Sequence, residues 1–174
     1  PDAPDGTTGS FTVELAVDGA LDAFLPTGWT SYLGTQVRSS WSASVWVDGA
    51  VRDVLIVSCF GALDLACSPA GVRNYYPPGG GYESAPLAAA FGSFSLGPYD
   101  FTWGQPFTID VLIGTSTAVN RTSNTTGNPN ASADVTSATL TLLSLYDASA
   151  GGGNAVPVVN ARASAASGSA WLGV

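Results

Sequence analysis

"SWSASVWVDGAVRDVLIVS", residues 40–58, reads as two strands and the turn that joins them. Trp41, Ala43, Val45 and Val47 alternate with Ser42, Ser44 and Trp46, the period of a pleated strand with one buried face. Asp48-Gly49 follows, a dipeptide that tolerates the positive φ required at both central positions of a type I′ turn. The chain then resumes in a Val/Ile/Leu-rich run. The phrase is a β-hairpin, with Trp41 expected on the core face and Trp46 on the opposite one.

The same grammar recurs along the chain. "SFTVELAVDG" (10–19) places Phe11, Val13, Leu15 and Val17 on one face and runs into Asp18-Gly19, which reads as the same turn used a second time. "PFTIDVLIG" (106–114) and "TSATLTLLSLYD" (136–147) are further strands, and "NAVPVVNA" (154–161) and "SGSAWLGV" (167–174) are shorter ones. The best helical segment, "SAPLAAAF" (84–91), supports one or two turns. Stretches 75–83, 120–132 and 151–154 are loops rich in Gly, Pro, Asn, Ser and Thr. Strands at intervals of roughly 8–15 residues separated by such turns predict an all-β antiparallel sandwich, jelly-roll-like, as a single domain over residues 1–174.

Composition removes much of the chemistry from consideration. Charged residues are 10% of the chain against about 25% in an ordinary domain, while hydrophobic residues are 45%. A disordered chain would show the reverse balance. All five basic residues are arginine, and the net charge is −8. That leaves no footprint for a phosphate backbone, so nucleic acid is not an expected partner. The longest apolar run, residues 54–67, is interrupted by Ser58, Gly61 and Asp64 and falls short of the ~20 residues a bilayer span needs. No membrane span is expected. The opening "PDAPDGTTGS" has no Met, basic region or apolar core, so any signal peptide is expected to have been removed.

Without His or Lys, Ser-His-Asp triads and Schiff-base chemistry are excluded. A carboxylate-based hydrolase needs two carboxyl groups across a cleft. The only glutamates are Glu14 and Glu83, and most aspartates read as turn residues or strand ends, so no enzyme is expected. No cofactor is expected. A structural Ca²⁺ held by turn aspartates and backbone carbonyls stays open, although no Asp-x-Asp-x-Asp-Gly run supports one. Cys59 and Cys67, eight positions apart and without His partners, are expected to form a disulfide, which implies an oxidising, extracellular location.

Two features speak for binding or exposure. "RNYYPPGGGYE" gathers Tyr75, Tyr76 and Tyr82 in one loop, and rings with hydrogen-bonding tips stack on sugar faces. The competing reading has these rings packing their own loop onto the sandwich. Trp29, Tyr32 and Trp46 are further aromatic candidates. Residues 120–132 hold three Asn-x-Ser/Thr sequons, at Asn120, Asn124 and Asn130, which would mark an exposed tip in a glycosylating host.

"SADVTSATLTLLSLYDASAGGGNAVPV" (132–158) followed by "SAASGSAWL" (164–172) resembles the C-terminal halves of PEP-CTERM-type secreted bacterial surface proteins. "SSWSASVWVDG" (39–49) and "PFTIDVLIG" look like that family's strands too. The resemblance is best over the last ~70 residues and looser before them. It implies export to the cell surface, extracellular matrix or biofilm, without catalysis. The family's Pro-Glu-Pro signal, apolar helix and basic end do not follow Val174, so a processed tail or a purely architectural kinship is expected.

Together these readings predict a non-enzymatic, extracellular structural protein: a matrix component or self-assembling filament subunit, present as a homo-oligomer or polymer. The alternative is a secreted carbohydrate-binding module whose Tyr75–Tyr82 loop contacts polysaccharide. Residues 1–17 are a candidate donor strand for a neighbouring copy, with Phe11, Val13, Leu15 and Val17 as its plugs. Their competing place is an edge strand of their own sandwich.

Overall fold

A computed structural model describes residues 5–26, 37–63, 67–119, 129–147 and 156–157. These residues form ten strands and no helix: β1 (Thr8–Leu25), β2 (Val37–Val47), β3 (Ala50–Phe60), β4 (Ala62–Leu63), β5 (Ala70–Tyr75), β6 (Glu83–Pro86), β7 (Gly92–Thr102), β8 (Ile109–Val119), β9 (Asn130–Asp147) and β10 (Val156–Pro157). Two sheets pack face to face as a β-sandwich. Sheet A runs β10-β9-β1, with β7 and the short β4 both on the far side of β1; sheet B runs β6-β5-β3-β2-β8. All pairings are antiparallel except that of β1 with β4.

The hairpin of residues 40–58 forms as its residues dictate. Asp48 and Gly49 take φ of 50° and 74°, and Val47 pairs with Ala50 across the two-residue turn. Asp48 also receives the Thr108 N–H on its Oδ1 at 2.9 Å, tying the turn to the approach of β8. Alternation then decides burial: Trp41, Ala43, Val45 and Val47 are buried, and Trp46 is 38% exposed. The Trp41 indole N–H donates to the Ala90 carbonyl at 2.9 Å, so its burial leaves no orphaned donor.

The second Asp-Gly does something else. β1 runs straight through Asp18-Gly19, and the pairing with β9 slips there by one residue. The reason is steric. A Cβ at Gly19 would collide with the Asp134 carbonyl and the Phe91 ring, so the glycine serves close approach of the neighbouring strand within a bulge. The expected second hairpin is corrected to one 18-residue strand.

β1 also settles where Phe11, Val13, Leu15 and Val17 go. They are fully buried, and the strand lies between β7 and β9 in its own sheet. It is neither an edge strand nor, within this chain, a strand left over for a neighbour: its own sheet uses both of its sides. Against these side chains pack Phe94, Leu96, Tyr99 and Phe101 of β7, Leu142 and Leu145 of β9, and the inward face of β2 and β3. Phe11 stacks on Phe107 at 4.8 Å and meets Tyr99 edge-on at 5.3 Å. Segment 84–91, the best helical candidate, holds β6 and an irregular connection instead.

Candidate functional surfaces

The polar side chains that converge in the interior do so between the sheets. Asp53, on the inward face of β3, is fully buried. Arg73 of β5 donates Nε and Nη2 to its two carboxylate oxygens at 2.5 and 3.1 Å, and Tyr99 of β7 donates its hydroxyl at 2.6 Å. The remaining Arg73 bonds go to the Ser95 and Gly97 carbonyls of β7 at 3.2 and 3.3 Å. Tyr75 closes the cluster by donating to the Pro98 carbonyl at 2.9 Å, with the Arg73 guanidinium 5.5 Å from its ring centre. A forked cation, a carboxylate and two phenols thus bind β3 and β5 of sheet B to β7 of sheet A.

The guanidinium and both phenols are shifted accordingly. Burial disfavours the Arg73 charge, but the hydrogen bond and charge of Asp53 outweigh it and raise its pKa. Burial, then the Asp53 charge and hydrogen bond, push the Tyr99 phenol far above its ordinary value. Tyr75 moves the same way, through burial and then the charges of Asp53 and Asp100. Near neutrality both phenols stay protonated and the guanidinium stays charged. The cluster's work is to hold the sheets. The role of Asp53 is not legible in the sequence, because nothing local marks a carboxylate whose partners lie 20 and 46 positions away.

Cys59, buried at the end of β3, is bonded to Cys67, with Cα atoms 5.6 Å apart. The link closes the connection that lays β4 beside the end of β1, next to a small second core of Ala23, Leu25 and Val37.

The tyrosine loop divides. Tyr75 is spent on the inter-sheet cluster, whereas Tyr76 and Tyr82 form a tilted pair with ring centres 6.2 Å apart, Tyr82 being 66% exposed. Gly79, Gly80 and Gly81, all at positive φ, carry the chain between them. Asn130 opens β9 opposite Phe24, so it belongs to a strand rather than a loop tip. Asn120, Asn124, Trp29 and Tyr32 lie outside the described residues. Glu14 is on the outer face of sheet A and Glu83 on β6 of sheet B; the fold does not bring them together. A depression of about 320 Å³ lies at one end of the sandwich, lined by Asp48, Asp100, Gln105 and Phe107 among others. Among the described residues no cluster of three or more carboxylates or thiols is arranged for a metal ion, and no helix is long and apolar enough to cross a membrane.

The two outer faces differ in chemistry. On sheet A, Glu14 sits between Ser95 and Thr141, Asp18 receives the Ser137 hydroxyl at 3.2 Å, and Asp22 faces Ser132. That face is acidic and hydroxyl-rich. On sheet B, cross-strand rows set Trp46 between Val51 and Asp110, Ser44 between Val54 and Leu112, and Val72 beside Ile56. That face mixes exposed apolar side chains with serines, Asn74 and Asp110, and Arg38 stacks 5.8 Å over the exposed Phe60 at one end.

Comparison with protein-family models, with curated proteins and with solved structures gives no match. The fold stands on the chain's own pairing and burial: an all-β, two-sheet antiparallel sandwich.

Proposed function

We propose that the chain is a non-enzymatic extracellular structural protein, a matrix component or self-associating subunit of a surface assembly. The observation that carries this reading is the use of its chemistry. The ionisable groups that meet between the sheets are used up in a bond that joins them, Arg73 and Tyr99 both donating to the Asp53 carboxylate, while the outer sheet faces are turned outward. Exposed apolar side chains such as Trp46, Phe60, Val72 and Leu112 on one face suit contact with another surface. The Cys59–Cys67 bond supports an oxidising compartment.

The deciding measurement is the assembly state of the native protein by light scattering and electron microscopy. Concentration-dependent assembly without sugar binding supports the structural role. A monomer that binds polysaccharide on a glycan array, and loses binding on Tyr76→Ala or Tyr82→Ala, supports the carbohydrate-binding module instead. The Tyr76–Tyr82 pair, with Tyr82 exposed, is what keeps that second reading in play.

A further inference from the structure

The edges of the two sheets are unequally protected. β6 is four residues long and ends on Pro86, and β7 shifts register with β1 at Gly97-Pro98; β10 covers only Tyr146 and Asp147 of β9, whose remaining open side carries two bulges against β1. Short strands, prolines and bulges are the devices by which natural sheets avoid edge-to-edge pairing. β8 has none of them. It pairs with β2 over eleven residues, from Val37↔Val119 to Val47↔Ile109, without a slip. It contains no Pro, Lys or Arg and a single charge, Asp110. Among the described residues no strand pairs with its other side.

We infer that β8 is a strand-addition site for a second copy of this chain, with the two β8 strands pairing antiparallel about a two-fold axis at Gly114. The inference deepens the self-associating reading above and rests on it. β8 read backwards complements itself about that centre. Leu112 falls opposite Ser116 of the second copy, Ile113 opposite Thr115, Val111 opposite Thr117 and Asp110 opposite Ala118. Asp110, Val111, Leu112 and Ile113 each meet a small or hydroxyl-bearing side chain, and Ile109 meets Val119 as an aliphatic pair at each end. The two Asp110 carboxylates lie at opposite ends of the pairing, about 27 Å apart at ~3.4 Å per residue. Parallel addition in register would set them side by side, where like charges destabilise. Exposure fits the same occupant: Leu112 is 69% and Val119 45% exposed, and the inward-facing Thr115 and Thr117 are exposed as well. A second β8 would satisfy the open row of backbone donors and acceptors and extend sheet B through both copies. Such a contact is isologous and closes at two copies, so it sets a building block; longer assembly needs another surface.

Sedimentation equilibrium of the full chain tests this with two like-charged variants, Leu112→Lys/Ser116→Lys and Leu112→Glu/Ser116→Glu. Both positions are exposed, and circular dichroism verifies the fold. In the proposed register, positions 112 and 116 oppose each other twice. The wild-type chain should dimerise, each variant should dimerise at least roughly tenfold more weakly, and an equimolar mixture should regain affinity through two Lys–Glu pairs. A wild-type chain that stays monomeric overturns the proposal. Variants that dimerise like wild type also overturn it, while leaving self-association through another surface. Weakened variants that do not rescue one another overturn the two-fold register and the proposal with it.

Discussion

Tyr99 on β7 donates its hydroxyl, at 2.6 Å, to the same Asp53 carboxylate that Arg73 grips from β5. That carboxylate is therefore shared by both sheets, alongside the direct bonds from Arg73 and Tyr75 of β5 to carbonyls of β7. Asp53→Asn keeps the shape but leaves a half-buried guanidinium facing a neutral amide. Breaking one partner of a buried pair costs about 3–5 kcal/mol. Urea unfolding of the variant should show a midpoint shift of that size with the slope unchanged. A shift below roughly 1 kcal/mol, the range of exposed pairs, would place the bond outside the stability of the sandwich.

The phenol makes the same bond sensitive to alkali. The Tyr99 pKa is raised in the folded chain, so its stabilisation is fully present below the ordinary tyrosine value of 10.0 and is lost as pH rises above it. The unfolded chain then releases a proton that the folded chain retains. Stability should fall above pH 10 with a slope approaching about 1.4 kcal/mol per pH unit for this group. In Tyr99→Phe that slope should flatten. An equal alkaline slope in both proteins would assign the effect to other groups.

The two Asp-Gly pairs give a comparison inside one chain. Gly49 has open space around its Cα and a φ of 74°, so Gly49→Ala meets only backbone strain, about 1–2 kcal/mol. Gly19→Ala drives a methyl into the Asp134 carbonyl, a rigid neighbour, and should cost more, about 2–3 kcal/mol. Thermal or urea unfolding ranks them. The reverse order would mean that β9 can move aside.

That comparison shows where the sequence is legible. The alternation of Trp41 to Val47 with one well-placed turn predicts the hairpin, and the same period in residues 11–17 predicts a buried face. Whether an Asp-Gly turns or continues depends on a strand more than a hundred positions away, here Asp134, and no local pattern carries that. β7 escaped notice for a related reason. Phe94 and Leu96 fall out of phase with Tyr99 and Phe101 across Gly97-Pro98, and a proline inside a run argues against a strand. The inter-sheet cluster was invisible because its members sit on three strands. Of them the sequence singles out only Tyr75, as a sugar-stacking ring or as one that packs its loop onto the sandwich, and no local pattern names Pro98 as its partner.

The disulfide can be checked by mass. The intact chain should be two hydrogens lighter than its reduced form, and Cys59 and Cys67 should resist alkylation until reduced. Reduction frees an eight-position loop and should lower stability by roughly 2–3 kcal/mol. Two thiols that alkylate freely in the unreduced, folded protein would contradict the bond.

Removing residues 1–17 tests the place of β1. The deletion takes Phe11, Val13, Leu15 and Val17 from the core and leaves β7 and β9 without the strand that joins them. Burial of each such side chain contributes about 1.5–3 kcal/mol, so four together approach or exceed the whole stability of a domain this size. The truncated chain should lose cooperative unfolding and near-ultraviolet dichroism. A synthetic 7–17 peptide should restore both at high concentration, since it can donate main-chain hydrogen bonds to both neighbours and its plugs fit the vacated core. A truncated chain that still unfolds cooperatively at the wild-type midpoint would show that β1 is dispensable to its own sheet, and would return the strand to the role of a donor for a neighbouring copy.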